Sequence, residues 1–179
     1  SDGPFLVVDI GGGSTEFVFG TTSVESAKSV NIGCVRMTER HFAHDPATTV
    51  QVAAASADIK EAIATAASIV PITQAKTLIA VAGTATTVAA AALNLSEYDR
   101  YAIHLSRISA AQVHDASHMF LTKSREERLT LGYMHPGRVD VIPAGALVLS
   151  HIMSTTGASE FVASESDILD GIARSLAGK

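Results

Sequence analysis

Within eight residues, from Asp9 to Glu16, the chain places two carboxylates at the ends of a run of three glycines, a serine and a threonine. Three consecutive missing side chains at Gly11, Gly12 and Gly13 open backbone N–H groups to an incoming anion. The hydroxyls of Ser14 and Thr15 add donors of the kind that suit phosphoryl oxygens. Two carboxylates beside a phosphate are tolerated when a divalent cation joins them, so Asp9 and Glu16 read as candidate ligands for Mg2+ or Mn2+. The bland alternative is a tight glycine hairpin with Asp9 solvated at a strand end. The run is not a dinucleotide fingerprint, because Glu16 stands where the third glycine belongs and a strand follows. Nor is it a Walker A loop, for no Gly-Lys-Ser/Thr is present.

A second stretch, "AVAGTATTVAA" from Ala80 to Ala90, repeats the logic as strand, glycine, helix. Gly83 and Thr84 fall where backbone amides and a helix dipole would meet an anion. The competing reading is an ordinary strand-to-helix turn with Thr84 as its cap. Two such loops on neighbouring strands would face one another as a phosphate clamp. Other chemistry-bearing residues carry less. His114 and His118 stand four apart, but aspartate replaces the glutamate of a zinc helix and no third ligand is evident, so a solvated helix face is favoured. Arg138 and Asp140 are candidates for substrate contact or for a structural ion pair. Glu165 lies at a strand end. Arg125, Glu126, Glu127 and Arg128 read as a charged helix surface. The lone Cys34, between Gly33 and Val35, reads as a small buried residue rather than a reactive thiol.

The elements that must position these groups follow from pattern. Phe5 to Ile10 is a continuous apolar run of the central-strand type. Glu16 to Gly20 and Val24 to Ile32 extend it as a meander. Val35, Met37 and Phe42 recur at helical spacing, and Pro46 ends that helix or its loop. Thr49 to Val70 predicts a long alanine-rich helix with Ile59, Ile63 and Ile69 on one face. Thr77 to Gly83 is a short buried strand, and a helix begins at its glycine. Tyr98 to Leu105 is ambiguous and is a place for a short strand. Ile108 to Thr122 is helical with Ser109 as N-cap, and Ser124 with Glu127 forms a capping box. Arg138 to Gly157 predicts a helix that tolerates Pro143, with a kink there. A last strand at Ser159 to Ser164 and a last helix capped by Asp167 complete an α/β order.

Composition bounds the rest. Hydrophobic residues make up 47% of the 179, enough for one buried core. A net charge of −5 without tryptophan argues against a nucleic-acid surface. One cysteine excludes a disulfide framework and suits a reducing cytoplasm. No apolar run is long enough to span a membrane, and the start lacks the basic region of a signal peptide.

The segments "VVDIGGGSTEFVFG", "SVNIGCVRMTERHF", "VAGTATTVAA", "RVDVIPAGALVL" and "SESDILDGIA" resemble, in order and spacing, the second half of exopolyphosphatase/guanosine pentaphosphate phosphatase proteins. These belong to the actin-like, sugar-kinase and Hsp70 superfamily. The resemblance implies a ribonuclease-H-like lobe over residues 1–179, with a mixed five-stranded sheet flanked by helices. It implies that a preceding lobe, with its own glycine hairpin and the catalytic glutamate, is not in this chain. It also implies Mg2+-dependent removal of terminal phosphate from polyphosphate or guanosine pentaphosphate, and a tendency to form homodimers. Asp9 would help hold the ion, and Glu16 would position it or the attacking water. Gly11, Gly12, Gly13, Ser14 and Thr15 would cradle the terminal phosphoryl, and Gly83 with Thr84 the adjoining phosphates. The alternatives are an alarmone-binding regulatory lobe without chemistry and a fragment of an acetate- or sugar-kinase relative.

Overall fold

A computed structural model of the chain describes residues 3–166. An antiparallel meander of β1 (Phe5–Ile10), β2 (Thr15–Gly20) and β3 (Val24–Val30) opens the fold. β4 (Thr77–Val81) pairs parallel with β1, and β6 (Glu160–Ala163) parallel with β4. β5 (Arg107–Ser109) then closes the sheet antiparallel to β6, giving the order β3-β2-β1-β4-β6-β5. This is the mixed, ribonuclease-H-like arrangement expected, with six strands rather than five. The extra strand is three residues long, too short to leave an alternation in the sequence. The ambiguous segment before it holds the single-turn helix α4 (Arg100–Ile103), whose N-terminus Asp99 caps through the Tyr101 and Ala102 N–H groups.

One face of the sheet is dry. Leu6, Val8, Ile10, Phe17, Phe19, Leu78, Ala80, Phe161 and Ala163 alternate onto it and are buried. Against them lie α1 (Cys34–His41), α2 (Thr49–Ala67), α3 (Ala82–Ala92), α5 (Ala110–Thr122) and α7 (Ile142–Thr156). Every residue of α7 from Ile142 to Leu149 is buried, so this helix is apolar all round and sits at the centre of the layer. Pro143 falls in its first turn, where a missing N–H costs nothing, and residues before Ile142 form a 3-10 turn instead. The helix therefore starts later than its apolar pattern predicts, and the expected kink is a start.

Capping boxes begin α2 at Thr48, α5 at Ser109 and α6 (Arg125–Leu129) at Ser124, each reciprocated three residues on. α2 ends at Ala67, so Ile59 and Ile63 are buried while Ile69, placed on their face by sequence, is 53% exposed. The chain has already turned there, and Val70 and Ile72 supply the core contact instead. Arg128 overturns a surface reading more sharply, being 2% exposed. The helix expected from Asp167 onward lies outside the described residues. No described helix is long and apolar enough to cross a membrane.

Candidate functional site

The two glycine loops leave the sheet at the same edge, because β1 and β4 run parallel in register, Asp9 opposite Val81. Ligand sites gather at the carboxyl ends of such strands. β6 is parallel too, so Glu165 emerges at that edge as well.

The first loop, Gly11 to Ser14, closes on itself through Gly11 N–H to Ser14 O at 3.0 Å. Its carbonyls are turned to α1: Cys34 N–H donates to Gly11 O, while Val35 and Arg36 N–H both donate to Gly12 O. The side chain of Arg36 completes the set with Nε to Gly13 O at 2.7 Å. With the carbonyls held on that side, the N–H groups of Gly12, Gly13 and Ser14 have no protein acceptor among the described residues. Such a row of open amides is an anion nest. α1 thus supplies the other half of the loop, a long-range contact with no signal in the sequence. Gly33, at the start of α1, makes that junction possible. A Cβ there would stand 2.4 Å from Gly12 O and 2.5 Å from Ser14 N, so helix and loop meet backbone to backbone.

Asp9 and Glu16 are directly opposed on β1 and β2, on the sheet face away from the core. Ser14 and Ser29 both donate to Glu16 Oε1 at 2.6 Å, Ser29 lying opposite Glu16 on β3. Oε2 takes neither bond, so the carboxylate is oriented with one oxygen to spare. Facing carboxylates are hard oxygen donors of the kind Mg2+ or Mn2+ takes. Among the described residues, however, no group of three His, Cys, Asp or Glu side chains could enclose an ion alone. Two protein oxygens suit a cation that completes its shell with water and substrate phosphate. Thr15 departs from the expected cradle. It is in phase with Phe17 and Phe19, fully buried, and its hydroxyl donates to Ile32 O inside the core.

The second loop turns at Ala82, whose φ of 67° is left-handed and strained for an alanine. No side chain caps the first turn of α3, which leaves the Gly83 and Thr84 amides at an open helix end. Thr84 itself is buried, and Gly145 of α7 packs against it so closely that a Cβ would lie 2.6 Å from Thr84 Oγ1. Between the loops is a cleft of about 200 Å3 lined by Gly11, Gly12, Cys34, Gly83, Thr84 and Arg138, among others. Burial pushes the Cys34 thiol pKa up, against the opposing hydrogen bond with Thr84, so the thiol stays neutral at physiological pH. Cys34 is half-buried, however, and lines the cleft rather than the core.

Arg138 enters this cleft. Its Nε would lie 2.5 Å from a Cβ on Gly83, and its Nη1 donates to Thr87 Oγ1 at 3.3 Å. No ion pair to Arg138 exists among the described residues. Asp140 is outside the cleft, paired with Arg125 at 2.8 Å. Glu165 accepts from the Tyr98 hydroxyl at 2.6 Å, with Arg138 and Thr86 beside that hydroxyl. Burial, then Glu165, raises the Tyr98 pKa, keeping the hydroxyl a donor. Neither Tyr98 nor the role of Arg36 was legible beforehand. His114 is bonded to Ser150 on α7, so it is part of helix packing rather than a metal pair with His118.

Comparison with known proteins bears directly on this geometry. The sequence matches the Ppx/GppA phosphatase family over residues 1–178. Exopolyphosphatase 2 of Mycobacterium tuberculosis is 44% identical over 179 residues, covering 98% of this chain and 56% of that protein. The crystal structure of an exopolyphosphatase-like protein superposes with a TM-score of 0.92 at 42% identity, over 96% of this chain and 58% of that one. The Aquifex aeolicus Ppx/GppA phosphatase, type II variant, gives a TM-score of 0.86 at 27% identity, over 98% and 57% respectively. The chain thus spans a little over half the length of these relatives.

Proposed function

The chain belongs to the Ppx/GppA phosphatase family, and from that premise we propose that it is the second lobe of a metal-dependent phosphohydrolase. The enzyme would remove the terminal phosphate of inorganic polyphosphate or guanosine pentaphosphate, with a preceding lobe across the cleft. The observation that carries this reading is the pairing of two anion-ready loops on adjacent parallel strands, with Arg138, which has no ion pair among the described residues, between them.

In this mechanism the open amides of Gly12, Gly13 and Ser14 receive the terminal phosphoryl. The Gly83 and Thr84 amides and Arg138 hold the phosphates behind it. Mg2+ or Mn2+, held by Asp9 and Glu16, would neutralise charge on the phosphoryl oxygens. Ser14 and Ser29 keep Glu16 in the orientation that this requires. Water attacks the terminal phosphorus, the bridging P–O bond breaks, and orthophosphate leaves with a chain one unit shorter. The water's proton goes to a base on the preceding lobe. Catalysis of this kind is mostly positioning and charge stabilisation, which is what rigid loops on a sheet provide.

In the full-length protein, Asp9→Asn or Glu16→Gln should each lower kcat for phosphate release by at least about tenfold, equivalent to about 1.4 kcal/mol of barrier. Circular dichroism should show the fold unchanged. Full turnover in both variants would remove the pair from the mechanism.

A further inference from the structure

Arg138 is followed after one residue by Asp140, the nearest acid in sequence and the natural competitor for its charge. A carboxylate on that guanidinium would neutralise it before any phosphate arrived. Instead Arg125 Nε holds Asp140 Oδ1 at 2.8 Å. We infer that Arg125 is a positioning residue for the cleft: by engaging Asp140 it leaves Arg138 to the substrate. This rests on the reading of the cleft as a phosphate site.

The surroundings of Arg125 are built for that task. α6 is a helix of five residues, too short to hold its place alone. Asp45 anchors it twice, accepting from Arg125 N–H on Oδ2 and from Arg128 Nη2 on Oδ1, both at 2.5 Å. Arg128 in turn donates through Nε to Val139 O at 2.9 Å and through Nη1 to Phe120 O and Lys123 O. The two residues that follow Arg138 are thus tied to α6 by separate arginines, one through its backbone and one through its side chain. Three guanidiniums lie close in this region. Asp45 and Asp140 meet the two on α6, whereas Arg138, in the cleft, has no ion pair among the described residues, and Glu165, the acid at that end of the sheet, accepts from the Tyr98 hydroxyl instead.

Arg125 and Asp140 are 46% and 60% exposed, so substitutions there leave the core intact. The experiment measures KM and kcat for phosphate release from inorganic polyphosphate by the full-length protein, together with the melting temperature. Arg138→Gln should raise KM by about tenfold through loss of a charge-assisted contact. Arg125→Gln should raise KM by about threefold, with kcat and melting temperature little changed. Asp140→Asn alone should not weaken binding, and the double variant Arg125→Gln/Asp140→Asn should restore the wild-type KM. Rescue is the decisive result, because a merely structural ion pair is lost equally in the double variant. A raised KM for Arg138→Gln, with no effect of Arg125→Gln or no rescue, overturns the inference alone. An unchanged KM for Arg138→Gln overturns the cleft reading and the inference with it.

Discussion

A methyl group at position 33 would press into the Gly12 carbonyl and the Ser14 nitrogen, two backbone atoms that cannot step aside without reshaping the loop. Gly33→Ala should therefore destabilise the protein by about 1–3 kcal/mol, the usual range for overpacking. Urea unfolding would measure it, and no change in midpoint would mean that loop and helix are looser than their contact implies. The acidic pair and the three consecutive glycines were legible because their composition has few other uses. Gly33 was not, since a lone glycine between elements looks like punctuation. Ala82 was invisible for the opposite reason: nothing in an alanine announces a left-handed φ, and the residue beside it, Gly83, is the one whose type suits that conformation. Thr15 could have been placed correctly from the sequence. Period two puts it in phase with Phe17 and Phe19, and so inside, whatever its hydroxyl suggests.

Helices show the same division between pattern and tertiary context. All three capping boxes rest on local side-chain bonds; the one at Ser124 and the cap at Ser109 were read from the sequence alone. The start of α7 could not be read, because its apolar residues continue upstream into the 3-10 turn and only packing decides where the helix begins. His151, on α7, carries a consequence of that central position. Its Nε2 is buried without a hydrogen-bond partner among the described residues. Burial lowers its pKa, and Lys60 of α2 and His114 of α5 add to the effect. The unfolded chain accepts that proton near pH 6.5, before the folded chain does. The stability contributed by neutral His151 is present above that pH and is lost as pH falls towards the folded-state value. The melting temperature should drop between pH 7.5 and 5.5, and His151→Gln should flatten part of that slope. An identical slope in the variant would assign the effect elsewhere.

At the scale of the molecule, the meander, the later strands at Thr77 and Ser159 and the main covering helices were legible as apolar runs, while the mixed sheet was expected from the family resemblance. The sixth strand was not, because its pairing with β6 is a long-range event that three residues cannot signal. The candidate site is similarly divided. Its loops lie within this chain, whereas the base for water is proposed to lie on the preceding lobe. The chain by itself should therefore bind tripolyphosphate without releasing phosphate, and release should appear when it is joined to the preceding lobe proposed above. Turnover by the lone chain would show that a base is present here after all. Alarmone binding without turnover in the joined protein would favour the regulatory alternative, and acceptor-dependent use of ATP the kinase alternative. One feature of the sheet matters for any substrate that shortens as it is consumed. Both cradles hang from strands joined by a continuous ladder, about 4.8 Å apart. A ruler of that kind cannot contract to follow a retreating end. On the proposed function, a polymer would have to advance through it unit by unit, and whether it stayed bound between cuts would be decided by whatever grips the tail further along.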